Sequence, residues 1–183
     1  MEKEKKNNIF PLTEFLEVKK IQRETIEIGG KSAQQLEREL NEAGIRINQR
    51  AQDMLRSHAF TTLPNPQTIE TVALKVRDFG FQRAPTTEEI YQRATESYGL
   101  ELCPAEVGLH LRLKDKNQPL GDWYSIAMQQ LTDRRGMPHV FDLSQGYDSG
   151  RWLGGSLAFP IRRWLAWDEF VFRLPKDSQL RSQ

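Results

Sequence analysis

Apolar residues recur along this chain at two different spacings. Up to about Gly99 most of them return every three or four positions, the spacing of one helix face. Ser32 to Gln35 has the capping-box form, a hydroxyl followed three residues on by an amide. Leu36, Leu40 and Ala43 then share a face before Gly44. Asn48 caps a second predicted helix that runs to about Ser57 with Ala51, Met54 and Leu55 inward. Thr86 and Glu89 repeat the capping box, and Ile90, Tyr91, Ala94 and Tyr98 line one face up to Gly99. Two stretches in this half alternate instead, Thr25 to Ile28 and Val72 to Val76, and are predicted strands.

Past Gly108 the period shortens to two. Leu109, Leu111 and Leu113 alternate with His110 and Arg112, which predicts a strand with one dry face. Further strands are expected at Trp123 to Met128, His139 to Leu143, Arg151 to Leu153 and Phe170 to Leu174, with a hairpin turn at Asp133 to Gly136. Loops this short join antiparallel neighbours, because a parallel crossover needs about a dozen residues or more. The expected fold is α+β, with N-terminal helices packed on a C-terminal, mostly antiparallel sheet. Residues 1–24 form a partly disordered arm, whose 9–16 stretch packs on the body. Residues 25–104 form a helical half with one or two short strands, 105–174 the antiparallel β half, and 175–183 a disordered tail.

Charge narrows the function classes. The 183 residues carry 26 basic and 25 acidic side chains, and residues 105–174 alone hold nine and eight. A duplex nucleic-acid binder neutralises many phosphates with a basic face, so this balance makes a nucleic-acid partner unlikely. Cys103 is the only cysteine, which excludes an intramolecular disulfide and a thiolate zinc site and favours a reducing compartment. The charged N-terminus is not a signal peptide, and no stretch approaches the ~20 apolar residues of a membrane span. A cytoplasmic protein is expected, with no membrane partner and no cofactor.

No catalytic motif is complete. Gly30-Lys31-Ser32 follows a strand and opens a helix, as a phosphate-binding loop does, but Thr25 stands where that pattern needs its first glycine. The expectation is a glycine break and a serine cap. Cys103 lies in the apolar run Leu100 to Pro104 with no histidine close in sequence, and is expected to be buried and inert. The three histidines show no metal-ligand spacing. Glu106, His110, Asp142 and Asp148 are the acid–base set a hydrolase would draw on.

The aromatic residues carry the stronger signal. All four tryptophans fall after residue 120, interleaved with Arg151, Arg162, Arg163 and Arg173, and Leu153 to Trp167, rich in Gly, Pro and Trp, is expected to be a surface loop that carries the binding residues. Trp and Arg are enriched where proteins bind proteins, and aromatic faces also stack on sugars. The leading expectation is a non-enzymatic binding protein. Arg112, Trp123, Trp152, Arg162 and Trp164 would be its contacts, and a protein or a second copy of the chain its partner, with a saccharide next. The alternatives are the hydrolase and a nucleic-acid-associated protein of a plasmid or phage system.

Gly99 to Gly108 (GLELCPAEVG), Leu111-Arg112-Leu113, Gln118-Pro119, Asp122-Trp123 and Asp168 to Arg173 together resemble a family of uncharacterised bacterial proteins. The resemblance covers about Thr25 to Leu174. It implies a bacterial or mobile-element source, and it implies no activity and no site residues.

Overall fold

Ser32, Asn48 and Thr86 each accept the backbone N–H three residues on, from Gln35 at 3.2 Å, Ala51 at 2.9 Å and Glu89 at 3.2 Å. These caps satisfy N–H groups that the first helical turn leaves free. They start helices α2 (Ala33–Glu42), α3 (Gln49–Leu55) and α4 (Thr87–Gln92), and α4 runs on into a π-helical turn at Arg93–Ser97. The computed structural model describes residues 12–19 and 21–176. The disorder expected at the two ends lies, Pro175 and Lys176 apart, outside the described residues. The expected arm packs as helix α1 (Leu12–Val18), burying Phe15 and Leu16 and setting the Phe15 ring 4.3 Å from that of Tyr98.

The alternating leucines do not form a strand. Val107–Lys114 is helix α5, and this corrects the expected start of the β half. The helix is embedded on several sides at once: Val107, Gly108, Leu109, Leu111 and Arg112 are all buried. A helix covered nearly all round has no wet face to impose a period near 3.6, so three leucines two apart imitate a strand. Gly108 lets the helix lie close on the sheet, since a side chain there would meet Phe141 at 3.0 Å and Ile126 at 3.4 Å.

The strands are β1 (Arg23–Ile28), β2 (Arg46–Ile47), β3 (Gln67–Lys75), β4 (Trp123–Ile126), β5 (Leu131–Thr132), β6 (Pro138–Gly146), β7 (Gly150–Leu157) and β8 (Glu169–Arg173). They form one sheet in the order β1-β3-β8-β4-β6-β7-β2, with β5 on β6. The α+β class stands, and the sheet draws strands from both stretches of the chain. It is mixed where a mostly antiparallel sheet was expected, because β4 runs parallel to β8 and β2 parallel to β7. The short-loop argument governs only strands that follow one another in sequence. β8 inserts between β3 and β4 after a long connection, so its direction was never constrained by a hairpin.

Helix α5, with α2 and α3, covers the inner sheet face, against Ile126, Phe141 and the backbone at Gly155. On the outer face α4 and the connection before β8 bring Tyr91 and Trp164 over Phe170, at 6.3 and 4.7 Å between rings. Leu36, Leu40, Met54, Phe141 and Phe172 are fully buried, each contributing about 2–3 kcal/mol of apolar burial.

Candidate functional site

Strand pairing brings Trp123, Ser144, Trp152 and Arg46 into one row. Trp123 pairs with Ser144, Ser144 with Trp152, and Trp152 with Arg46, across β4, β6, β7 and β2. Directly paired residues project from the same sheet face. Two positions along lies a second row, Ser125, Asp142 and Gly154, and Ser125 is also paired with Phe170. Both rows therefore belong to the outer face, beside the part that α4 and Trp164 cover.

Trp123 is 37% exposed and Trp152 half-buried. The Trp152 indole N–H donates to Ser149 Oγ at 3.0 Å, and the Arg46 guanidinium lies 5.4 Å from its ring centre. Asp142 leans over Gly154, where a side chain would come within 2.4 Å of its Oδ1, and accepts the Ser156 hydroxyl at 2.9 Å. Burial holds the Asp142 carboxyl above its ordinary range, against the lowering effect of the Ser156 hydrogen bond and the charges of Arg50, His139 and Arg162. Ser125 is buried, and its hydroxyl has no hydrogen-bond partner in the protein.

Of the five expected contacts, Trp123 and Trp152 fall together. Arg112 does not join them. It sits inside the protein, donating to Gln118 Oε1, Ser144 C=O and Asp115 C=O. On a strand it would have pointed opposite to the leucines, whereas α5 turns it inward. Trp164 is not a contact either. It is fully buried, with its N–H donated to Thr87 Oγ1 at 2.8 Å, because the connection before β8 folds down on Phe170. Arg162 stacks on Trp164 at 4.1 Å and donates to Leu157 C=O, near enough for its charge to act on both Asp142 and Asp168.

The expected acid–base set divides. Glu106 and His110 meet, whereas Asp142 lies on the outer face and Asp148 in the exposed β6–β7 turn. Glu106, fully buried, accepts the Gly29 N–H at 3.1 Å, the Leu63 N–H at 2.8 Å and a contact from His110 Nε2 at 3.3 Å. Its oxygens are thus occupied in strapping two loops to the start of α5. Gly29 has φ of 84°, and a side chain there would lie 2.3 Å from the Asn65 carbonyl, so the backbone approaches Glu106 where only glycine fits.

Burial pulls the His110 pKa below its ordinary value. The Glu106 carboxylate and Glu39 oppose that shift, and Lys31 adds to it. With the folded pKa depressed, the native state binds fewer protons than the unfolded chain just below about pH 6.5, so stability falls as the pH drops through that window. We expect urea titrations between roughly pH 7 and 5 to show this loss at under about 1.4 kcal/mol per pH unit. A flatter curve is expected in His110→Gln, which can still donate to Glu106. An unchanged slope in the variant would remove His110 as the cause.

The other sequence expectations can be placed. Ser32 caps α2 in a full capping box, and Lys31 pairs with Glu39 at 2.7 Å. Cys103 is buried, its thiol contacts Val171 C=O at 3.5 Å, and burial pushes its pKa up, which leaves it without thiolate character at neutral pH. Among the described residues no group of three or more His, Cys, Asp or Glu side chains is arranged to hold a metal ion. No described helix is long and apolar enough to cross a membrane.

Neither family models nor curated proteins nor solved structures match this chain. The site is therefore defined by geometry alone. Sequence reasoning missed Arg46, Ser125 and Ser144, and it took Asp142 only as an acid for hydrolysis. One signal was present: Gly154-Gly155 inside a strand marks close approach of other groups. Asp142 meets the first on the outer face, and Arg50 and Met54 of α3 meet the second on the inner face.

Proposed function

We propose that this chain is a non-enzymatic binding protein that recognises its partner on the open outer sheet face. The observation that carries the reading is the in-register row of Trp123, Ser144 and Trp152, with both indoles reached by solvent. Solvent-reached tryptophans in register on one rigid sheet form a fixed platform, and fixed aromatic groups lose little conformational entropy on binding. The acid–base pair Glu106–His110 supports no competing hydrolase reading, because its carboxylate is spent on backbone amides. The buried thiol of Cys103 supports a reducing, cytoplasmic setting.

The test is whether these tryptophans are surface or core. Trp123→Ala is expected to cost under about 1 kcal/mol of stability, as surface changes do. Trp167 is 66% exposed, so the measurement is made in a Trp167→Phe background, where loss of acrylamide quenching in the Trp123→Ala, Trp152→Ala double variant should show that these two indoles supply the accessible emission. A double variant that unfolds, or whose remaining emission is quenched as fully as before, would refute an open recognition face.

A further inference from the structure

The open face pairs aromatic groups with a floor that is polar rather than apolar. Strands lie about 4.8 Å apart, so Trp123 on β4 and Trp152 on β7 stand roughly 10 Å apart with the β6 residue Ser144 between them. Beside that gap lie Ser125, Asp142 and Gly154, and beyond them Ser156. The centre of a protein–protein interface is depleted of charge and filled by apolar groups. This strip is the reverse, with aromatic flanks and a hydroxyl and carboxyl floor. Ser125 is buried under the strip with no partner for its hydroxyl, next to a half-buried carboxyl group that takes only one hydrogen bond from the protein.

Charge is balanced around the strip. Arg46 stands at its end over Trp152, and Arg162 acts on Asp142 and Asp168. Asp168 lies just before β8, where its carboxyl accepts the Leu165 N–H at 2.7 Å within reach of the Arg162 charge. Two guanidiniums against two carboxyl groups leave no field to select a charged ligand.

We propose that the strip from Trp123 across Ser144 to Trp152, with Ser125 and Asp142 as its floor, binds a neutral oligosaccharide. Pyranose rings present apolar C–H faces to the indoles, and their hydroxyls meet the half-buried Ser144 and the Asp142 carboxyl. The roughly 10 Å separation of the tryptophans calls for a chain of sugars rather than a single ring. This proposal rests on the open-face reading above and adds the class of ligand.

The full chain is titrated with cellohexaose and with chitotetraose, followed by tryptophan fluorescence and calorimetry, and self-association is measured in parallel by sedimentation velocity. The expected result is a saturable response to at least one oligosaccharide and none to glucose. Trp123→Ala and Trp152→Ala should each weaken it about tenfold or more, the equivalent of one lost contact of about 1.4 kcal/mol. Asp142→Asn should weaken it several-fold. Met137→Ala, just before the far end of β6, should leave it unchanged.

No saturable response to either oligosaccharide overturns the proposal, as does a response that Trp123→Ala and Trp152→Ala leave intact. A dimer dissolved by these two replacements, without any sugar response, overturns the saccharide while keeping the face. Failure of the face itself shows separately, in the quenching and stability of the double variant.

Discussion

Glu106→Ala is expected to lower the unfolding free energy by about 3–5 kcal/mol. The replacement strands the Gly29 and Leu63 N–H groups, which now end on the buried carboxylate, and a buried donor without a partner costs about 1–3 kcal/mol. The lost side-chain volume adds a cavity, because neither loop can close on it freely: Asn65 and Pro66 already press on Gly29 and Gly30. Glu106→Gln keeps one acceptor oxygen but turns an amide NH2 toward a backbone donor, so it should fall between the wild type and Ala. Urea denaturation gives the energies. Hydrogen exchange gives the place, with faster exchange at the Gly29 and Leu63 amides beyond any global effect. A loss under about 1 kcal/mol would show that water replaces the carboxylate at little cost and that the strap is not structural.

Arg112→Ala should cost a similar amount, about 3–5 kcal/mol. The guanidinium is fully buried and ties three segments together: Asp115 at the end of α5, Gln118 in the following loop and Ser144 on β6. Gln118 in turn donates to the Leu143 C=O at 2.9 Å and the Asp122 C=O at 3.3 Å. Removing Arg112 leaves the buried Gln118 Oε1 and the partly buried Ser144 and Asp115 carbonyls without this donor, and opens a large hole. Arg112→Met separates these causes, since it restores most of the volume and none of the bonds. We expect Met to recover only the packing share and to stay at least about 1–2 kcal/mol below the wild type. Near-complete recovery by Met would show that the polar knot contributes nothing net. The knot also holds the loop that delivers Trp123 to the outer face, so both variants should blur the tryptophan platform before they unfold the core.

These two residues show how far local reasoning reaches. Arg112 looked like a surface contact because the leucines around it alternate, and alternation implies that intervening residues point outward. Inside a helix buried on several sides that implication fails. Glu106 looked like a catalytic acid because carboxylates serve in that role, and nothing in the run Ala105 to Gly108 reveals that two distant backbone N–H groups converge on it. Trp123 and Trp152 were selected with Trp164 on composition alone. Only strand register separates the pair that shares an open row from the one that closes the core.

The amino-acid sequence by itself determined the caps of α2, α3 and α4, the turns, the positions of β1, β4, β6 and β8, the second half of β3, the start of β7 and the α+β class. Each of these depends on contacts within a few residues, which a linear pattern records directly. Leu153 to Leu157, expected as loop, instead continues β7. The tertiary structure alone decided that Val107–Lys114 is helical, that β8 lies between β3 and β4, and that Trp123 and Trp152 flank a polar strip. Those outcomes depend on which distant segments cover a residue, and burial by a distant partner leaves no period in the sequence.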